Sequence, residues 1–145
     1  MNCLPIVSLR LVKERTAQYG KKSLDDAKDV YEFVRDLISD RDREVYLTLC
    51  LDSKNRLVCI NETFVGMVNS VNTCPREIFK VAILSNAVSI ITVHNHPSGN
   101  PKPSRVDIVS TQKVKQAGDL LGIRLLDHVI IGDGAYYSFA DNDQL

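Results

Sequence analysis

The strongest constraint on how this chain can fold is the uncharged run at residues 88–93, Val-Ser-Ile-Ile-Thr-Val, which passes directly into His94-Asn95-His96-Pro97. A short, β-branched, apolar run of this kind reads as a buried strand. In an extended segment residues i and i+2 point the same way, so His94 and His96 present their rings on one side of the strand end. The chain has three histidines and two of them fall in this tripeptide, which makes them a chelating pair.

The rest of the chain supplies elements to surround that strand. Residues 6–12, with Val7, Leu9 and Leu11 on one parity, predict a first strand, broken at Gly20-Lys21-Lys22. Ser23 with Asp26 three residues on reads as a capping-box start, and Ala27, Val30, Tyr31, Val34, Leu37 and Ile38 form a helical stripe. Two strands, 45–51 and Arg56 towards Val65, flank a turn at Asp52-Ser53-Lys54-Asn55 and predict a hairpin. Pro75 suits the first position of a helix running to about Asn86.

After His96 a loop with three prolines, at 97, 101 and 103, restricts the backbone before a helix that starts near Ser104 and ends at Gly122. Residues 125–131 and 135–139 predict a closing pair of strands. Without repeats or linkers, the economical architecture is one α/β domain over 1–145, a mixed β-sheet flanked by helices. In it a strand and helix at 1–43 precede a core at 44–145.

A chain of 145 residues can bury one core without covalent staples. Cys3, Cys50, Cys59 and Cys74 show no C-x-x-C spacing and read as reduced packing residues, with Cys50 and Cys59 cross-strand neighbours if the hairpin turns at Lys54-Asn55. The first eleven residues lack a basic segment ahead of an apolar one, and no window approaches a membrane span. The expectation is a soluble, cytoplasmic protein without a membrane partner. Eighteen basic and eighteen acidic side chains cancel, so the charge footprint of a nucleic-acid binder is absent.

Asp107 admits two readings. Ser104-x-x-Asp107 matches a capping box, in which the carboxylate reaches back to a backbone amide. The helical line 107, 110, 114, 117, 121 also puts Asp107 at the top of the inward stripe, where an unpaired carboxylate is costly. A divalent cation shared with His94 and His96 would keep it ionised. Two imidazoles and one carboxylate, with no obvious protein group for a fourth place, suit a catalytic zinc ion that keeps water there.

The pattern His94-x-His96-Pro97, then Ser104-x-x-Asp107, resembles the JAMM (Jab/MPN) metalloprotease signature at every defined position. The wider text from Glu44 to Phe139, with Pro75-Arg76-Glu77, His94 to Gly99 and Asp127-His128, is similar to the RadC-like branch of bacterial proteins. The resemblance implies a JAMM α/β fold and zinc held by His94, His96 and Asp107. It also implies a serine that binds the tetrahedral intermediate, here Ser104, and an upstream glutamate acting on the zinc water. Glu44 stands where that glutamate belongs, between the first long helix and the hairpin strand. Glu62 and Glu77 are its rivals.

The chemistry implied is hydrolysis of a peptide or isopeptide bond in a peptide or protein substrate. A zinc deaminase is excluded, because its His-x-Glu and Pro-Cys-x-x-Cys are missing. The competing class is a non-catalytic interaction or DNA-associated module that retains the metal site. The forty or so residues before Glu44 are too few for the helix-hairpin-helix region that longer RadC-like proteins lead one to expect. His128 is expected to have a supporting or structural role rather than to be a fourth ligand, and Tyr136-Tyr137 to pack in the sheet.

Overall fold

The charged turn at 52–55 closes the anticipated hairpin in the computed structural model, which describes residues 3–18, 20, 23–66 and 73–145. Asp52 Oδ1 accepts from the amides of Lys54 and Arg56, and Asn55 takes the left-handed conformation that asparagine tolerates. The strands so joined are β1, Val45–Leu51, and β2, Leu57–Val65. Their register sets Cys50 opposite Cys59, and the cysteines are free thiols.

Ahead of the hairpin lies helix α1, Ala27–Ile38, and after it come α2, Pro75–Leu84, β3, Ser89–Asn95, and α3, Arg105–Leu121. Strands β4, Arg124–Ile131, and β5, Tyr136–Ser138, complete the fold. The sheet order is β2-β1-β3-β4-β5. Strands β1 and β3 are antiparallel, whereas β3 and β4 are parallel because α3 crosses over between them. This is the mixed α/β sheet flanked by helices that the sequence predicts.

Every residue of β1 and β3 is buried, since helices cover both faces of the sheet centre. On one face Val30, Val34 and Ile38 of α1 pack on Leu47, Leu49, Ile91, Val93 and Val129. On the other, Ile78, Phe79 and Ala82 of α2 and Val114 of α3 meet Tyr46, Cys50, Ile90 and Leu125. Helix α3 comes so close to β4 that a methyl at Gly118 would lie 2.5 Å from the Ile123 carbonyl oxygen. That approach anchors the helix whose first turn carries Asp107.

Two expectations need correction. Residues 6–12 form no strand: the segment lies outside the sheet, with Leu4, Ile6, Val7 and Leu9 all at least three-quarters exposed. Alternating apolar residues make a strand only where a ladder partner is available, and here none takes them up. The cap of α1 is Asp26, whose side chain accepts from the Asp29 amide, while Ser23 bonds Asp25 instead. Strand β3 runs to Asn95, so His94 sits in the ladder at the strand end, as expected. Lys21 and Lys22 of the anticipated break lie outside the described residues.

Candidate metal centre

The strand period does to the histidines what it must. His94, buried in β3, and His96, one residue past its end, turn their Nε2 atoms towards each other at 3.0 Å. Pro103 and Ser104 then start α3, and its first turn delivers Asp107, whose Oδ1 lies 3.4 Å from His94 Nε2 and Oδ2 3.5 Å from His96 Nε2. One ligand atom from each of the three residues falls within 4.8 Å of the others. A tetrahedral zinc ion with ligands at about 2.0–2.2 Å spaces them about 3.3–3.6 Å apart. The two histidine–carboxylate distances fall in that range and the histidine nitrogens, at 3.0 Å, stand slightly closer, so the donor types and a small opening of the pair suit such an ion.

The hydrogen bonds behind the rings direct their lone pairs. His96 Nδ1–H donates to the Asn100 carbonyl at 2.8 Å, which leaves Nε2 as the free nitrogen of the neutral ring. His94 Nδ1 lies 2.9 Å from His128 Nε2, and His128 Nδ1 lies 2.6 Å from Thr92 Oγ1. This chain can run in two directions, but only one leaves His94 Nε2 able to ligate a metal. In that direction His94 Nδ1–H donates to His128, and His128 Nδ1–H donates to Thr92. His128 is therefore a partner of a candidate ligand rather than a ligand itself. Tyr46 stacks on both His94 and His128, closing the cluster from the side.

Electrostatics agree with a cation site. Burial alone would raise the Asp107 carboxyl, but in the metal-free chain Nε2–H groups of His94 and His96, standing where a cation would replace their protons, outweigh it and hold the group well below the usual carboxylate range. The bond to Asp107 raises His96, against burial and with help from the Asn100 carbonyl and from the charge of Glu44. Burial, then the charge of His94, pushes His128 well below the ordinary imidazole value.

The two readings of Asp107 hold together. Asp107 Oδ2 accepts from the Ser104 amide at 2.7 Å, and the Asp107 amide donates to Ser104 Oγ at 3.1 Å, a complete capping box. The Ser104 hydroxyl also donates to Asp107 Oδ2 at 2.6 Å, so its proton is engaged.

The three glutamates separate clearly. Glu62 pairs with Arg41 at 3.0 Å and with Arg15, and Glu77 pairs with Lys80 at 2.6 Å and with Arg76. Glu44 precedes β1. The β1–β3 register, with Tyr46 opposite His94, extrapolates to Glu44 opposite His96. Among the described residues the Glu44 carboxylate has no hydrogen-bond or ion-pair partner, and its charge is felt at His96. Sequence reasoning missed Thr92 and Asn95. Thr92 had a signal, since it lies two residues before His94 on the same strand face, whereas the role of Asn95 follows only from the register of β1 and β3.

The family model described as the RadC-like JAB domain matches residues 24–144. The match takes in α1 and so reaches further upstream than the likeness read from Glu44. A UPF0758 protein of Methanosarcina barkeri is 43% identical over 88% of this chain and 56% of its own length. Another from Methanosarcina acetivorans is 45% identical with the same coverage, and one from Pasteurella multocida is 38% identical over 94% of this chain and 63% of its own. The chain thus spans a little over half the length of the relatives it matches. Among the described residues no helix is long and apolar enough to cross a membrane.

Proposed function

Because the chain belongs to the RadC-like JAB domain family, we propose that it is a cytoplasmic, zinc-dependent hydrolase of the JAMM type, acting on a peptide or isopeptide bond. The observation that carries this reading is the convergence of His94 Nε2, His96 Nε2 and the Asp107 carboxylate, each within 3.0–3.5 Å of the next, on one place where a cation could sit. These residues would hold the metal, and when bound it supplies Lewis acidity towards water and the scissile carbonyl.

The chain's own groups do the rest. The Glu44 carboxylate, without a partner among the described residues, accepts a proton from the attacking water and returns it to the leaving amine, as amide cleavage at neutral pH requires. The Ser104 hydroxyl turns from Asp107 Oδ2 to donate to the developing oxyanion, a contact worth about 3 kcal/mol where such donors have been removed. His128 and the Asn100 carbonyl keep the ligand rings in the required tautomer. A polar cleft lined by Tyr31, Arg35, Arg41, His96, Ser98 and Asp133 reaches the site only at His96.

The test is elemental analysis of protein purified without added metal, followed by cleavage of a peptide library. About one zinc per chain and chelator-sensitive cleavage are expected, with Glu44→Gln abolishing cleavage while zinc is retained. Absence of both zinc and cleavage would overturn the proposal. The engagement of the Ser104 hydroxyl by Asp107 favours a second reading, a metal-holding interaction module without turnover. Under it, zinc binds, no peptide is cut, and Glu44→Gln leaves partner capture intact. A DNA-associated version of that module requires binding that weakens steeply with salt.

A further inference from the structure

The residue between the two histidines has a task of its own. The β1–β3 ladder has its last matched pair at Tyr46 and His94, so the chain leading into β1, Arg43 to Val45, would lack a backbone partner on that side. Asn95 takes over with its side chain. Its Oδ1 accepts from the Val45 amide at 2.7 Å, and its Nδ2 donates to the Arg43 carbonyl at 3.2 Å. Asn95 is 3% exposed. One flank of this stretch wants an acceptor and the other a donor, a requirement met by a carboxamide and not by a carboxylate.

The residue between those two backbone groups is Glu44. From the opposite side the Gly66 amide donates to the Glu44 carbonyl at 2.9 Å. The backbone of Glu44 is thus held from β3 and from the end of β2, while its carboxylate is left without a hydrogen bond or ion pair among the described residues. Asn95 itself is fixed in the β3–β4 ladder opposite Ile131. We infer that Asn95 is a positioning residue that ties the strand carrying the two histidine ligands to the backbone on both sides of Glu44, and so sets the carboxylate at a fixed place beside the metal site.

This rests on the metal-centre reading above, and it is testable with zinc alone. Zinc affinity is measured by chelator competition on the full chain in four forms: the parent, Glu44→Gln, Asn95→Ala and the double variant. A carboxylate held near a divalent cation through a solvent-like dielectric should make Glu44→Gln weaken zinc binding by about fivefold to tenfold in the parent. In the Asn95→Ala background the same change should cost less than about twofold, because the carboxylate is no longer held. The Val45 amide, freed of its acceptor, should exchange hydrogen at least about tenfold faster in Asn95→Ala.

Equal costs of Glu44→Gln in both backgrounds, no cost in either, or unchanged exchange at Val45 would overturn the inference while leaving the metal centre standing. Failure of the parent chain to bind zinc would instead overturn the functional reading, and the inference with it. Should Asn95→Ala fail to fold, Asn95→Ser, too short to reach both groups but able to hold a water between them, provides the same readouts.

Discussion

Replacing His128 tests whether the layer behind the ligands matters as its geometry implies. His128 is 1% exposed and joins His94 Nδ1 at 2.9 Å to Thr92 Oγ1 at 2.6 Å. In His128→Leu the shape is roughly kept, but the His94 Nδ1–H loses its acceptor inside the core. A buried donor left unpaired costs about 1–3 kcal/mol. Loss of an outer partner of a metal-binding histidine typically lowers affinity about 10–100-fold, or about 1.4–2.8 kcal/mol, a loss distinct from that stability cost. Zinc competition against a chromophoric chelator reads the affinity, and urea unfolding of the metal-free protein reads stability separately. His128→Gln, whose carboxamide oxygen can accept from His94, should recover much of the affinity. Wild-type affinity in His128→Leu, or identical losses in the two variants, would refute the claim that the Thr92–His128–His94 chain orients the ligand.

Further predictions concern packing and pH. A methyl at Gly132 would lie 2.4 Å from the Gly99 carbonyl oxygen and 2.6 Å from Pro101 Cδ, so Gly132→Ala must displace the loop whose Asn100 carbonyl orients His96. It should cost about 1–3 kcal/mol on denaturant unfolding and weaken zinc binding as well. Gly118→Ala, clashing with the Ile123 carbonyl, should lose a similar amount of stability with zinc affinity unchanged. In metal-free protein the depressed His128 contributes stability that is full above its unfolded value of about 6.5 and declines as pH falls, by up to about 1.4 kcal/mol per pH unit. His96, raised by its bond to Asp107, acts oppositely, its contribution being full below that value and lost as pH rises through its folded one. Urea titrations in chelator across this range should therefore give a smaller acid-side slope in His128→Leu than in the parent.

The fold was legible where the physics is local. The hairpin, α2 from Pro75, α3 with its Gly122 stop and the His-bearing strand all follow from period, caps and turn residues. So does the approach of Asp107 to the histidines, because a strand end and the first turn of the next helix set it. What could not be read depended on pairing between distant segments. That His128 stands beside Thr92 follows from the parallel register of β3 and β4, which carries a shift between Ile90 and Ile91. The grip of Asn95 on Arg43 and Val45 depends on where the β1–β3 ladder stops. Residues 6–12 show the converse, a strand-like alternation that finds no edge to join.

The Ser104–Asp107 capping box has a meaning beyond this chain. Since the serine and aspartate cap the start of α3 through hydrogen bonds of their own, that end of the helix does not depend on ligation alone, and chelation should empty the site without melting it. The same two residues could persist in a protein that had given up metal altogether, kept only to begin a helix. In this chain the histidine pair therefore argues for a metal in a way that the serine–aspartate spacing by itself does not.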